Sequence, residues 1–325
     1  MDIITFGSAI WDIFLEEKED FFIKKRESDS KEVCFPLGTK ININNIYFSA
    51  GGGGINTAIT FVNQGFKTAF YGTIGGDLNG QVILEELKKR KVNTALISQI
   101  NEKKTDCSIV FIVPGQDRTI LTYREASQLL TLNEINFNKI KKVKWIYLAP
   151  LSKKLTSLFA PLVDFAFKNN IKIAVNPGLD QLNLPQKELK KIIKKIDILI
   201  LNKEEAAILT ATTYKDEKEI LNRLNDLSKG IKIMTKGTEG LVVLDSKFIY
   251  SAKTLKSKVV ERTGAGDAFG SGFVSGYIKY NGDIEKSIQL GSANATACLK
   301  EYGAQKGLLK KGEDYEKLKV KSQIL

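Results

Sequence analysis

The sequence predicts an α/β fold in which helices flank a doubly wound, mostly parallel sheet that carries a small β-strand lid. Apolar, β-rich runs alternate with helical patterns, and this alternation favours a parallel sheet. Several of the runs are continuously apolar, as expected of strands that helices cover on both faces. The predicted strands are Ile3–Phe6, Thr68–Gly72, Trp145–Leu148, Ile171–Val175, Ile198–Leu201, Ile231–Thr235 and Leu241–Leu244.

Helical patterns separate these strands and extend to the last third of the chain. Asp283, directly after Gly282, is placed to cap the last helix. The chain shows no internal repeat, low-complexity tract or clear linker, so we expect residues 1–325 to form one domain. The predicted helices are Asn56–Gln64, Gly80–Lys89, Lys154–Lys168, Lys203–Leu209 and, roughly, Asp267–Tyr280 and Ile284–Lys300.

Two stretches, roughly residues 13–49 and 106–124, interrupt the strand–helix series. The second contains two strand-like runs, Cys107–Val113 and Arg118–Tyr123. Between them Pro114-Gly115-Gln116-Asp117 has the composition of a hairpin turn. We interpret both stretches as a small β lid over the main sheet, of the kind that excludes water from a reaction.

The amino-acid composition excludes several kinds of chemistry. The chain has no histidine, which removes the Ser-His-Asp and Cys-His constellations and the usual zinc sites. Cys34, Cys107 and Cys298 are odd in number and far apart, so a disulfide framework or a thiolate metal site is not expected. The chemistry therefore rests on Asp, Glu, Lys, backbone amides or a bound cofactor.

The net charge of +12 does not predict a nucleic-acid partner. The lysines are spread over runs such as Lys88-Lys89-Arg90-Lys91, interleaved with apolar residues like solvated helix faces. No window reaches the roughly eighteen apolar residues of a membrane helix, so no membrane partner is expected. Because residues 1–7 resemble a first strand and lack the features of a signal peptide, we expect a cytoplasmic enzyme.

A glycine-rich segment before a predicted helix carries the strongest chemical signal. Small residues let the backbone approach a ligand, and the first turn of a helix offers unpaired N–H groups to an anion. The amides of Gly264, Ala265 and Gly266 are therefore suited to hold a transferring phosphoryl group. Asp267 beside them would repel phosphate, and accepting a hydroxyl proton would explain its presence. The alternative is a glycine-rich turn whose aspartate interacts with the helix dipole.

This segment, Thr263 to Phe269 with glycines at 270 and 272, resembles the C-terminal signature of the ribokinase-like (PfkB) carbohydrate kinases. Ala50 to Ala58, continuing to Gly65, resembles their N-terminal signature. The resemblance spans nearly the whole chain and implies an ATP-dependent kinase that phosphorylates a hydroxyl of a sugar or sugar-like substrate, with Asp267 as general base. Further matches, in the family's order, are Gly75-Gly76-Asp77, Asn176-Pro177-Gly178, Asn202-Lys203-Glu204-Glu205 and Thr235-Lys236-Gly237-Thr238-Glu239-Gly240.

The resemblance implies that the substrate is bound by residues near the N-terminus. Asp12 matches the family's substrate-hydroxyl aspartate, although alone it reads as a surface carboxylate. The glycine run containing Gly52 and Gly53 lines the sugar site in the family and would direct Asn56 to substrate hydroxyls. Without the resemblance the run is a tight strand-to-helix turn. It is not a Rossmann fingerprint, because no Gly-x-Gly-x-x-Gly directly follows a first strand.

The resemblance also implies where the nucleotide and Mg²⁺ bind. In the family the Asn-x-x-Glu motif organises Mg²⁺ and its waters around the ATP phosphates, and one glutamate can suffice because Mg²⁺ keeps several waters. The same two residues form the pattern of a capping box, and both interpretations are compatible. The implied ATP-binding residues are Asn202, Thr235, Gly237, Gly240 and Asn294, with Glu205 at the metal.

Departures from the ribokinase pattern leave the acceptor open. Gly53 replaces a lysine and Ala149-Pro150 replaces a glutamate, so two polar sugar contacts are lost. A nucleoside kinase is the alternative within the family, because Gly53 would leave room for a base. A catalytically silent sugar- or nucleotide-binding regulator is the alternative outside enzymes. Glu261-Arg262 replaces the common Asp-Thr. In relatives that bind potassium, this segment and the one around Gly303-Ala304-Gln305 shape the ion site, so a monovalent-cation (K⁺) requirement is left open.

The predicted lid leaves two further questions. Arg118, Tyr123 and Arg124 have two interpretations, as ligands of a phosphate or carboxylate on the substrate or as surface residues of the lid. The resemblance also carries an expectation of a homodimer formed through the lid strands.

Overall fold

The structure is a computed structural model that describes residues 1–16, 23–25, 31–112 and 118–325. In these ranges the chain forms one large sheet and two smaller ones. The strands are β1 Ile3–Phe6, β2 Ile10–Glu16, β3 Ile23–Lys25, β4 Lys31–Val33, β5 Asn45–Gly51, β6 Thr68–Gly75, β7 Ile97–Ile100, β8 Asp106–Ile112, β9 Thr119–Tyr123, β10 Trp145–Leu148, β11 Lys172–Val175, β12 Ile198–Asn202, β13 Ile231–Thr235, β14 Leu241–Leu244, β15 Phe248–Ala252 and β16 Val320–Ile324.

The large sheet has the strand order β16-β15-β14-β13-β12-β11-β10-β1-β6-β7. Its strands run parallel from β13 to β7, and β14, β15 and β16 extend it as an antiparallel edge. The doubly wound, mostly parallel sheet predicted from the sequence is therefore confirmed.

Helices cover both faces of this sheet. Asp283 accepts a hydrogen bond from the backbone N–H of Lys286 at 2.9 Å, which confirms it as the cap of the last helix. No helix in the described ranges has the length and apolar character needed to cross a membrane. The helices are α1 Gly53–Asn63, α2 Leu78–Lys89, α3 Phe137–Ile140, α4 Phe159–Lys168, α5 Leu179–Leu182, α6 Gln186–Ile193, α7 Lys203–Thr210, α8 Glu217–Leu227, α9 Ala265–Lys279 and α10 Ile284–Cys298.

The continuous apolar runs have a direct structural cause. In β12, Ile198 and Ile200 pack toward α1, α9 and α10, whereas Leu199 and Leu201 pack toward α4, α6, α7 and α8. Ile198 to Leu201 are therefore all buried, because consecutive side chains point to opposite covered faces. One predicted helix differs: Lys154–Lys168 begins as a 3₁₀ segment, Lys153–Leu158, before α4.

The two interrupting stretches form a separate four-stranded sheet of order β5-β2-β8-β9, and β3 pairs with β4. Asp12 in β2 lies opposite Ser49 in β5 and Ser108 in β8. The turn expected at 114–117, and parts of the first stretch, lie outside the described residues. We call β5-β2-β8-β9 the small sheet, and its action as a lid remains a prediction.

Candidate active site

The carboxyl ends of the parallel strands bring most of the predicted site residues to one edge of the large sheet. Pro150 follows β10, Asn176 follows β11, and Asn202 and Thr235 end β12 and β13. Asn202 and Thr235 are also direct register partners. Open α/β sheets bind their ligands at this edge, so the fold itself selects it as the candidate site.

Asp267 is the third residue of α9, and the helix begins with an unusual backbone conformation. Gly264 caps the helix with φ of 79°, and a Cβ there would lie 2.1 Å from the Cβ of Ala304. Both the positive φ and the close approach of Ala304 therefore require glycine at this position. At Gly266 a Cβ would meet no described atom within 4 Å, so this turn borders open space. First-turn N–H groups have no acceptor within their helix and can bind an anion there.

A chain of side-chain amides holds the Asp267 carboxylate. Asn56 donates from Nδ2 to Oδ2 of Asp267 at 2.9 Å, and Gln305 donates from Nε2 to Oδ1 of Asn56 at 3.0 Å. Burial raises the pKa of Asp267, and the hydrogen bond from Asn56 acts in the opposite direction. Asn56 was predicted to bind substrate hydroxyls, which stays a prediction; in the structure both ends of its amide have protein partners.

Gln305 was not among the predicted site residues. It lies 249 positions from Asn56 along the chain, in a segment between α10 and β16 without regular secondary structure. The sequence singled out Gln305 only as part of Gly303-Ala304-Gln305, a segment associated with an ion site in relatives, and its contact with Asn56 is seen only in the folded chain.

Asp12 lies close to the same carboxylate. It is buried and accepts a short hydrogen bond from the hydroxyl of Ser108. Burial raises the pKa of Asp12 to about 6, and the negative charges of Glu261 and Asp267 contribute to the rise. A Cβ at Gly51 would lie 1.7 Å from Oδ2 of Asp12, so this glycine makes room for the carboxylate.

The departures from the ribokinase pattern lie together beside Asp267. A Cβ at Gly53 would be 2.9 Å from Cβ of Ala149, 3.3 Å from Cδ of Pro150 and 3.3 Å from Oδ1 of Asp267. The two positions at which ribokinases carry lysine and glutamate therefore form one short wall. In this chain the wall is made of glycine, alanine and proline, and it is apolar.

Glu261 connects the small sheet to the loop before α9. Its Oε1 accepts hydrogen bonds from the backbone N–H and the hydroxyl of Thr263, at 2.7 and 2.6 Å. The Nε of Arg118 lies 3.8 Å from the same oxygen. Tyr123 instead donates to Glu125 at 2.8 Å and is about half exposed. Arg118 is thus the lid residue that reaches the loop, whereas the positive charge of Arg124 acts on Asp12 and opposes the rise of its pKa.

The nucleotide half of the predicted site contains a complete capping box. The backbone N–H of Glu205 donates to Asn202 Oδ1, and that of Asn202 donates to Glu205 Oε2, both at 2.8 Å. Burial raises the pKa of Glu205. The described residues contain no cluster of three acidic or cysteine side chains suited to a metal. A single half-buried carboxylate is compatible with the predicted Mg²⁺, which takes most of its ligands from water and phosphate.

The remaining predicted ATP-binding residues have different surroundings. Thr235 ends β13, and its hydroxyl donates to Leu201 O at 3.4 Å. Gly237 has φ of 56° and open space around it, whereas a Cβ at Gly240 would lie 2.0 Å from a backbone oxygen. Asn294 is fully buried; it donates to Ala268 O at 2.8 Å and accepts from the N–H of Leu309 at 2.9 Å. These bonds satisfy the buried amide of Asn294 without a ligand. Its contact with ATP stays a prediction.

A mostly parallel α/β sheet, a glycine-rich helix start and a carboxylate beside it are the parts that a small-molecule kinase needs. The chain belongs to the PfkB family: residues 20–311 match the pfkB family carbohydrate kinase domain. Members of this family are carbohydrate kinases, and sugar and nucleoside kinases occur among the relatives.

Two relatives and one solved structure illustrate the range of kinases to which the chain is similar. A ribokinase of Lactococcus lactis is 30% identical over 281 residues, which cover 83% of this chain and 85% of that protein. A nucleoside kinase of Methanocaldococcus jannaschii is 26% identical over 260 residues, covering 79% and 82%. The Arabidopsis thaliana ribokinase complexed with ribose and ATP superposes with a TM-score of 0.75 at 19% identity, covering 95% of this chain and 96% of that one.

Proposed function

We propose that the protein transfers a phosphoryl group from ATP to a hydroxyl of a sugar or sugar-like molecule. Asp267 is the general base, and the backbone amides of Gly264 to Asp267 form the anion hole. The observation that carries the proposal is the position of a desolvated carboxylate, held by Asn56, in the first turn of α9. A carboxylate whose pKa is raised is a better proton acceptor than an exposed one.

The proposed mechanism depends mainly on positioning and electrostatics. Asp12 orients the acceptor through its hydroxyls, and Asp267 takes the proton of the reacting hydroxyl. The amides of Ala265 and Gly266 stabilise charge on the transferring group. Mg²⁺ near Glu205 would neutralise charge on the ATP phosphates when bound. The small sheet closes over the acceptor as a lid, and its contact between Arg118 and Glu261 lies beside the anion hole.

A nucleoside acceptor is the second candidate, and the apolar wall favours it. Gly53, Ala149 and Pro150 lie next to Asp267 and offer no side-chain hydrogen bond. A sugar with many hydroxyls would have hydroxyl groups without hydrogen-bond partners where it faces this wall, and that weakens binding. A nucleoside presents a ribose and an apolar base face, so it loses less at such a wall.

The test is ATP turnover with Mg²⁺, with and without K⁺, across sugars, sugar phosphates, sugar acids and nucleosides. Asp267→Asn should lower kcat by ~10²–10⁴ for the acceptor that stimulates wild type, the usual contribution of a general base. Asp283→Asn is the matched control. It removes the carboxylate that caps α10, and asparagine caps a helix equally well. We expect wild-type turnover from it.

Two outcomes would contradict the proposal. If Asp267→Asn turned over ATP like wild type, Asp267 would not be the base. If no acceptor stimulated ADP release while sugars or nucleotides still raised the melting temperature, the protein would be a silent binding protein on the kinase fold.

A further inference from the structure

Two buried amides form a hydrogen-bond chain that ends at Asp267. Gln305 donates to Oδ1 of Asn56, and Asn56 donates to Oδ2 of Asp267. Gln305 is 3% exposed and Asn56 4% exposed, so water does not compete for these groups. In both hydrogen bonds the donated hydrogen points in the direction of the Asp267 carboxylate. The amide of Asn56 is thus held at both ends.

The orientation of Asn56 depends on both neighbours. An amide presents an acceptor on one side and donors on the other. If Asn56 turned over, its oxygen would face the Asp267 carboxylate and its NH₂ would face the NH₂ of Gln305. Both contacts would be repulsive. A buried polar group left without a partner is destabilising, so the amide of Gln305 contributes directly to the observed orientation.

We propose that Gln305 is a positioning residue for the phosphoryl-transfer reaction, because it fixes the Asn56 amide so that Nδ2 donates to Asp267. This inference rests on the proposed role of Asp267 as the base. Gln305 itself does not reach the carboxylate and acts through Asn56. It also links the segment between α10 and β16 to α1, which carries Asn56, and to α9, which carries Asp267.

The segment that carries Gln305 is anchored independently of this amide. Gln64 donates from Nε2 to Leu309 O at 2.8 Å, and Asn294 accepts from Leu309 N–H at 2.9 Å. Ala304 also packs directly against Gly264. Removing the Gln305 amide should therefore leave the segment in place, and its effect should appear mainly at Asn56.

The acid–base behaviour of Asp267 supplies the readout. Burial raises its pKa and the bond from Asn56 lowers it, so loss of that bond should raise the pKa further. The acidic limb of the pH–rate profile should then move to higher pH, since the base is protonated over a wider range. The other titratable groups coupled electrostatically to this site are Asp12, Tyr147, Glu261 and Cys298, with Arg124 beside Asp12 and Arg118 beside Glu261. None of them is altered in the test.

The first variant is Gln305→Met, which keeps the length of the side chain and removes the donor. We expect kcat to fall about tenfold, the effect of weakening one hydrogen bond to a charged group. The acidic limb should move to higher pH. Gln64→Met is the matched control, because it removes a buried amide bonded to the same segment at Leu309 but not connected to Asp267. It should leave kcat and the pH profile unchanged.

A second variant, Gln305→Glu, tests the positioning role of Gln305 if Gln305→Met does not fold. A protonated carboxyl donates to Asn56 as the amide does, whereas an ionised one accepts and turns Asn56 away from Asp267. The ratio of mutant to wild-type kcat should therefore fall as pH rises. A constant ratio, or a wild-type pH profile in folded Gln305→Met, would overturn the inference. If Asp267→Asn is inactive in the same assays, that result leaves the proposed function standing.

Discussion

Asp12 shows how a single residue of the candidate site opposes the stability of the fold. Its carboxyl is buried, and burial raises its pKa to about 6 from 3.8. Ser108 supplies a hydrogen bond, and Gly51 leaves the space that the carboxylate occupies. Glu261 and Asp267 add negative charge nearby. A neutral side chain would be more stable there, which makes Asp12 a candidate for binding or chemistry.

Asp12→Asn should therefore stabilise the protein at alkaline pH while weakening acceptor binding. The folded pKa lies above the unfolded one, so stability from this group is fully present below pH 3.8 and is lost as pH rises through 6. At pH 8 the ionised group costs up to about 3 kcal/mol. The gain of Asp12→Asn in unfolding free energy should be largest at pH 8 and shrink toward pH 4, measured by urea denaturation. A gain that is independent of pH would contradict this explanation.

The carboxyl edge of β12 and β13 carries an ion-pair cluster at the scale of elements. Lys203 opens α7 directly after Asn202, and Lys236 follows Thr235. Both lysines bond to Glu217 in α8, at 3.2 and 2.7 Å, and their side chains are only 12% and 16% exposed. Glu217 thus holds both lysine side chains and ties the start of α8 to the predicted nucleotide edge.

Glu217→Gln should lower the unfolding free energy by about 1–2 kcal/mol, because it leaves two poorly exposed lysines without their carboxylate. Glu219→Gln in the same helix is the control. It breaks an exposed pair with Arg223, and such pairs contribute about 0.5 kcal/mol or less. Guanidinium denaturation at neutral pH compares the two variants. Equal losses in both variants would show that the cluster acts only as a surface ion pair.

The sequence predicted the central strands of the large sheet and strands β8 and β9 of the small one, but it missed β7, β15 and β16 of the large sheet. Trp145–Leu148 and Leu241–Leu244 were predicted with their observed bounds, because every residue of these strands is buried and apolar or aromatic. β2 and β5 were included in an interrupting stretch without bounds. Each depends on partners distant in sequence, such as the pairing of Asp12 with Ser108. Pairings of this kind leave no local pattern.

Some features of the candidate site could also be predicted from the sequence, whereas others could not. The glycines before Asp267 were recognised through the resemblance to the family signature, and the structure requires glycine at Gly264 because of its positive φ. The glycine run at Gly51–Gly54 lacked an evident packing role in the sequence, but the structure gives each glycine a close neighbour. The sequence associated the segment of Gln305 with an ion site, whereas the hydrogen bond from Gln305 to Asn56 became visible only in the folded chain.

At the scale of the whole molecule, the outer face of the small sheet is apolar. Strand register places alternate residues of β2, β5, β8 and β9 on the side away from Asp12. Phe48, Leu121 and Tyr123 on this face are 53%, 54% and 49% exposed. Contiguous apolar patches on protein surfaces commonly mark interfaces. The outer face consists of Trp11, Ile13, Leu15, Ile46, Phe48, Ile109, Phe111, Leu121 and Tyr123.

We expect a second copy of the chain to cover this face, in line with the resemblance to the ribokinase-like kinases. A two-fold contact pairs the same patch on both subunits, so one apolar face suffices for both. Light scattering should give twice the mass of one chain for wild type, and Leu121→Lys should give a monomer, because a buried unpaired ammonium opposes association. Phe167→Lys, at an exposed apolar residue of α4, is the control and should stay dimeric. A monomeric wild type at micromolar concentration, or a dimeric Leu121→Lys, would exclude this face as the subunit interface.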